Sequence, residues 1–203
     1  MTFWHDELID RSWTILRELK KRYEFILVGG WAVYLYTKAL KSKDIYIIVD
    51  YNTLGQLGVE LQLKKNERLK KYELLIDGIE VDVYVPYFSN LGVPVEEVVD
   101  HAVVLEGFRV PKPEILLILK QGAEMERAGS VKGVKDRIDI LALLIHAKID
   151  WNGYRSIIKK HSLDYYRDRL KNVVEIADRE FKELGITHPR QIKQLKKKIL
   201  ANI

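Results

Sequence analysis

The 203-residue chain is 47% apolar and 31% charged, the composition of a globular protein with a sizeable core. It has no cysteine, which excludes disulfides, thiolate metal sites and a cysteine nucleophile. The formal net charge of +5 suits a polyanionic partner such as nucleic acid or nucleotide phosphate, although a lysine-rich solubilising surface is the commoner reason for such a charge.

No apolar run approaches the roughly 20 residues that span a bilayer. The opening stretch, Met1 to Glu7, is acidic and lacks the basic-then-apolar pattern of a signal. The expectation is therefore a cytoplasmic protein with no membrane contact. Residues 3–22 predict an amphipathic helix, because Phe3, Leu8, Ile9, Ser12, Ile15, Leu16 and Leu19 fall near helical spacing. Phe25 to Val28 is too short for a helix and is bounded by Gly29 and Gly30, which predicts a buried strand. A helix restarts over 31–40, and residues 44–49 form a second β-rich run. A helix with a break near Gly58 is expected over 54–71. Residues 72–76 and 79–85 predict a hairpin, since Asp77-Gly78 supplies the two positive-φ positions of a type I′ turn. Pro86 ends its second strand. A short helix over 94–100 and a strand region over 102–110 follow.

The pattern changes at Pro111-Lys112-Pro113. Beyond it helices are predicted over 114–128, 134–148, 153–160, 163–184 and 189–201, the last with Pro189 in its first turn. The expected fold class is α+β. A small mixed-sheet core with helices occupies 1–110, and an α-helical half occupies 111–203.

The chemistry-bearing residues lie mostly in the first half. Gly29-Gly30 sits at a strand-to-helix junction, where glycine lets backbone approach a ligand and the helix start offers N–H groups to an anion. Alone, the pair reads first as a tight turn. Asp44 opens the next strand and Asp82 lies within the Val-rich second strand of the hairpin. Alternation puts Asp44, Tyr46, Ile48 and Asp50 on one face, and Glu80, Asp82 and Tyr84 on one face of the other strand. A carboxylate among valines is costly unless it is paired or binds metal. Mg²⁺ with a nucleotide is one reading, and pairing with lysines at the strand ends is the other.

In Val28-Gly29-Gly30, Asp44-Ile45-Tyr46 and Val81-Asp82-Val83 the chain resembles the nucleotidyltransferase superfamily of the DNA polymerase β type. The resemblance implies that carboxylates, here Asp44 and Asp82, hold Mg²⁺, two ions in a fully competent site. It implies that Gly29 and Gly30 cradle a triphosphate. The reaction would transfer a nucleoside monophosphate from a nucleoside triphosphate to a hydroxyl of an acceptor such as RNA or a protein. Asp82 is the residue implied to activate that hydroxyl. Ser42 and Lys43 precede Asp44, where a small or basic residue in the family grips phosphate; a plain helix-to-strand turn explains them as well.

A second stretch, Pro113 to Leu143, resembles the helical segment of AbiEii-type small nucleotidyltransferases in Lys120, Ala123, Arg127, Lys135, Asp136 and Asp139. Lys120 would then neutralise charge on the triphosphate. Asp136 and Asp139 share a helix face and would orient Lys135 or the nucleotide. The plainer reading is a surface ion-pair ladder with Lys132, Lys135 and Arg137.

The chain departs from the family at Tyr46, where a second carboxylate is expected. A phenol with an ordinary pKa near 10 is a poor Mg²⁺ ligand. Three readings stand: an enzyme in which Glu80 supplies the missing ligand, a catalytically inactive nucleotide- or nucleic-acid-binding relative, and a toxin–antitoxin-type interaction partner. His5, His101, His146, His161 and His188 lack metal-ligand spacing, and His146 reads as a core or boundary residue. Trp31, Tyr34 and Tyr36 read as core more than as a base pocket. Lys193, Lys196, Lys197 and Lys198 read as a solvated helix face or as a nucleic-acid contact. Tyr165-Tyr166 with Arg167 and Arg169 invites either stacking or helix packing.

Overall fold

The computed structural model describes residues 2–203, with side chains from residue 6 onward, and divides into two compact units, Met1–Lys112 and Pro113–Ile203. The first unit opens with helix α1, Thr2–Arg22. Its helical period buries Ile15, Leu16 and Leu19, and also Ser12. Ser12 tolerates that burial because its hydroxyl oxygen accepts the Trp31 indole N–H at 2.9 Å. The expected places of Phe3 and His5 lie outside the described side chains.

Strand β1, Ile26–Val28, runs directly into helix α2, Gly29–Thr37. The helix therefore starts on the glycines themselves rather than after them. Strand β2, Ile45–Ile48, leads to helix α3, Tyr51–Glu60. Asp50 caps α3, its carboxylate accepting the Thr53 N–H at 2.7 Å. The Thr53 hydrogen bonds hold the Asp50 carboxyl below the usual carboxylate range. Its stabilising effect is thus complete above the unfolded pKa and fades as pH falls through the lower folded value. Asp50→Ala should cost about 1 kcal/mol at neutral pH, read as a lower urea midpoint, with the difference vanishing in acid.

The helix expected to reach residue 71 stops at Glu60. Beyond Leu57 the helical period meets Glu60, Leu61, Lys64, Lys65 and Arg68, so after Leu61 no apolar stripe remains to bury. The chain instead forms strand β3, Lys64–Asn66, and turns into strand β4, Lys71–Ile76. Asn66 organises that turn, accepting the Leu69 N–H at 3.0 Å and donating to Glu73 at 2.9 Å. Strand β5, Ile79–Tyr84, completes the expected hairpin, with φ of 48° at Asp77 and 79° at Gly78. Helix α4, Val95–Asp100, follows. The strand region expected over 102–110 is a hairpin, β6 (Ala102–Leu105) and β7 (Phe108–Pro111), folded at Glu106-Gly107 with φ of 49° and 77°.

These strands form one mixed sheet in the order β3-β4-β5-β2-β1-β7-β6. The β2–β5 and β1–β7 pairs are parallel, and the other pairs are antiparallel. The central strands fill one core, in which Leu27, Ile45, Ile47, Val81 and Val83 are wholly buried. Along β2 and β5 the alternate positions, Tyr46 and Asp82, are only half-buried.

The second unit is helical: α5 (Pro113–Glu126), α6 (Val131–His146), α7 (Trp151–Lys160), α8 (Tyr165–Ile176), α9 (Asp178–Glu183) and α10 (Pro189–Leu200). Helix α5 is buried over almost its whole circumference, the mark of a central helix, and packs chiefly on α6. The single helix expected over 163–184 breaks at Ala177, whose ψ of 47° leaves helical geometry. The break turns Phe181 and Glu180 inward, and Glu180 meets Arg137 at 2.7 Å. Among the described residues, no helix is long and apolar enough to cross a membrane.

Candidate functional site

In the sheet unit the β2–β5 pair sets the geometry. Its parallel register places Tyr46 beside Asp82, and the antiparallel β4–β5 register places Glu73 on the other side of Asp82. Paired residues project to the same face, so phenol and carboxylates stand in one row across three strands. On the far side of Tyr46 is Val28, the residue immediately before the glycines. Gly29 has φ of 71°, and a Cβ placed there would lie 2.7 Å from Tyr46 Cδ2. The Tyr46 ring is therefore seated directly on the glycine turn.

Asp82 is already paired in this row. Lys71 donates to its Oδ2 at 2.7 Å and also contacts Glu73 Oε1 at 3.1 Å. Both members are largely shielded, Lys71 at 14% and Asp82 at 16% side-chain exposure, so the pair is tighter than a surface contact. Burial works against the Lys71 charge, yet the hydrogen bonds to Asp82 and Glu73 hold its pKa above the ordinary lysine value. Lys71 and Glu73 escaped the sequence reading, although a signal for them existed. The two-residue Asp77-Gly78 turn fixes the hairpin register and so puts Glu73 opposite Asp82.

One step back along the same strands, Asp44 and Glu80 line a small pocket of about 70 Å³ together with Lys43, Leu8, Gly78 and Ile79. Glu80 thus lies with Asp44 and Lys43. Ser42 is buried and its hydroxyl donates to the Asp44 carbonyl at 3.2 Å, which shapes the entry to β2. Gly30 is buried within the first turn of α2.

In the two-ion site that the resemblance implies, position 46 would supply a carboxylate, and a phenol is a poor substitute for it. Among the described residues, no three His, Asp or Glu side chains gather as a metal site. Together with the Lys71–Asp82 pair, this donor set does not fit a two-ion centre.

In the helical unit, Lys120 is buried between two carboxylates of α6, 3.2 Å from Asp136 and 2.6 Å from Asp139. Arg127 reaches Asp136 at 2.9 Å. Burial works against the Lys120 charge, but the Asp139 and Asp136 carboxylates hold its pKa above the ordinary lysine value. Asp136 and Asp139 are buried, so the surface ladder weighed from sequence is not what forms. Arg137 points elsewhere, to Glu180 at 2.7 Å and Glu124 at 3.6 Å. Lys135 is half-buried on α6. A second cluster, unforeseen from sequence, joins Arg169 to the wholly buried Glu124 through two hydrogen bonds of 2.9 and 2.6 Å.

That cluster also decides the Tyr165-Tyr166 segment. Tyr166 is buried, Arg169 serves Glu124, and Arg167 donates to the Ile203 carbonyl, so helix packing explains it. Trp31 is 1% exposed and belongs to the core, and the Tyr36 hydroxyl donates to the Pro111 carbonyl. His146, expected at the core or its boundary, ends α6 and is exposed, because the helical turn carries it past the buried Leu143. On α10, Lys196 is bound to Asp178 at 2.6 Å, while Lys193, Lys197 and Lys198 are exposed.

No family model matches the chain, and no curated protein does. Solved structures do. An antigenic nucleotidyltransferase-like protein from Paracoccidioides brasiliensis is 16% identical, covering 89% of this chain and 93% of its own, with a TM-score of 0.47. JHP933 from Helicobacter pylori is 19% identical over 95% of this chain and 91% of its own, with a TM-score of 0.46. A further H. pylori chain is 18% identical over 99% and 96%, with a TM-score of 0.49.

Proposed function

We propose that the sheet unit is a nucleotidyltransferase-type site that binds a nucleoside triphosphate and has lost the transfer step. The binding half rests on the Gly29-Gly30 start of α2, whose first N–H groups and positive helix end suit a phosphate. Lys43, exposed beside Asp44, adds a cation near the end of β2. The loss of transfer rests on one observation, the Lys71 ammonium seated on Asp82 beside Tyr46. In-line displacement needs both the attacking and the leaving oxygen stabilised. Here the carboxylate best placed to activate an acceptor hydroxyl is engaged, and its neighbour is a phenol.

Calorimetric titration with each nucleoside triphosphate, with and without Mg²⁺, tests the binding half. Pyrophosphate release in the same samples tests the other. The expected result is binding that is weakened at least about tenfold by Lys43→Glu, with no pyrophosphate above the protein-free control. Pyrophosphate release from any nucleoside triphosphate, with RNA or protein as acceptor, overturns the loss of transfer. Absence of binding to all of them overturns the nucleotide reading itself.

A further inference from the structure

The open edge of the sheet carries a surface that the nucleotide site does not use. Between residues 64 and 71, five basic residues stand against the single acid Glu67. Lys64, Lys65, Arg68 and Lys70 are exposed, on or beside the edge strand β3. Lys65 and Lys70 lie over the Phe88 ring at 4.7 and 5.1 Å from its centroid, and Phe88 stacks obliquely on Tyr72 at 5.5 Å. The Tyr51 hydroxyl donates to the Pro86 carbonyl, which brings a second exposed ring, 53% accessible, to the same loop.

Tyr87 is the residue that ordinary packing does not account for. It is 89% exposed, and its backbone is left-handed with φ of 61°. That conformation is unfavourable for any residue with a Cβ, and strain of this kind concentrates at functional positions. The Tyr87 N–H donates to the Glu96 carboxylate, which anchors the strained turn to α4. Lysines on an edge strand have a simpler role, preventing strand addition. That role requires neither a row of rings beneath the lysines nor a tyrosine held out in solvent.

We propose that this surface, formed by Lys64, Lys65, Arg68 and Lys70 with Phe88 and Tyr87, binds single-stranded nucleic acid. The lysines and the arginine would track the phosphates. Tyr87 would stack on an unpaired base, an interaction every base accepts. Duplex is a poorer ligand, because its bases present no free face to Tyr87. The surface is independent of the Gly29-Gly30 turn and stands whether or not that turn holds a nucleotide.

Fluorescence anisotropy with a labelled oligouridylate, an oligothymidylate and a duplex of equal length tests the proposal. The native chain should bind either single strand more tightly than the duplex, with affinity falling as salt rises. Tyr87→Ala should weaken single-strand binding by about 5- to 100-fold with an unchanged salt slope. Lys64→Gln with Arg68→Gln should reduce the log–log salt slope by about 0.7 for each lost phosphate contact. Tyr87→Gly separates binding from folding, because it suits the left-handed backbone: the melting temperature should not fall while binding does. Equal binding of duplex, an unaffected Tyr87→Ala variant, or loss of binding through Lys193→Glu and Lys197→Glu on α10 instead would each overturn the assignment.

Discussion

Lys120→Met is expected to destabilise the chain by about 3–5 kcal/mol, the cost of stranding buried charge. The lysine is 7% exposed, and the two carboxylates around it, Asp136 and Asp139, are 3% and 1% exposed. Removing the ammonium leaves both acids in a low-dielectric interior, with Arg127, a third exposed, on Asp136 and the half-buried Lys135 near Asp139. Methionine preserves volume and helix propensity, so the loss isolates charge from packing. Adding Asp136→Asn and Asp139→Asn to Lys120→Met should recover most of the loss, because a neutral set no longer strands charge. Urea unfolding followed by circular dichroism reads both quantities. A loss below about 1 kcal/mol would mean that the cluster behaves like a solvated ion pair. Lys120 would then be free to meet a phosphate, as the AbiEii-type resemblance implies. A large loss makes it chiefly the internal counter-ion of the helical unit.

The sequence made local patterns visible and long-range partners invisible. The helix over 2–22, the Asp77-Gly78 hairpin and the helix beginning near Pro189 depend on spacing, turn chemistry and capping, all of which are local. Strand β3 was lost because three residues reading Lys-Lys-Asn carry no apolar alternation, and only pairing with β4 makes them a strand. The β6–β7 turn was lost because Glu106 occupies a left-handed position that sequence would assign to Asn, Asp or Gly. In the candidate site, the Gly29, Tyr46 and Asp82 neighbourhood follows from alternation on adjacent strands once their order is known. Lys71 was missed because a flexible side chain chooses its partner through space. Glu124 with Arg169 was missed because they lie 45 residues apart on different helices.

Gly29→Ala is the second large effect, expected at about 2–5 kcal/mol. About 1–2 kcal/mol comes from forcing a Cβ into the left-handed region, where Gly29 has φ of 71°. About 1–3 kcal/mol more comes from overpacking, since the new Cβ would lie 2.7 Å from Tyr46 Cδ2 and 3.0 Å from Cγ. The near atoms are Cβ, Cγ and Cδ2, the part of the side chain closest to strand β2 and least free to move aside. Tyr46→Ala should therefore relieve only the second part, so that Gly29→Ala costs about 1–2 kcal/mol in that background. A double-mutant cycle measures the difference as a coupling of about 1–3 kcal/mol, and additive effects would show that ring and turn are not in contact. The same geometry bears on the phenol at position 46. Tyr46→Asp would remove the ring from the glycine turn and place a third carboxylate in a row that already holds Glu73 and Asp82. Lys71 already serves both Glu73 and Asp82, so like-charge repulsion would add to the lost packing. The variant should unfold at a lower urea concentration than the native chain, and adding Lys71→Met should lower it further. Tyr46 and Lys71 thus form a matched pair, ring on glycine and ammonium on carboxylate. Placing a carboxylate at position 46 would have to change both while losing the stability that each provides.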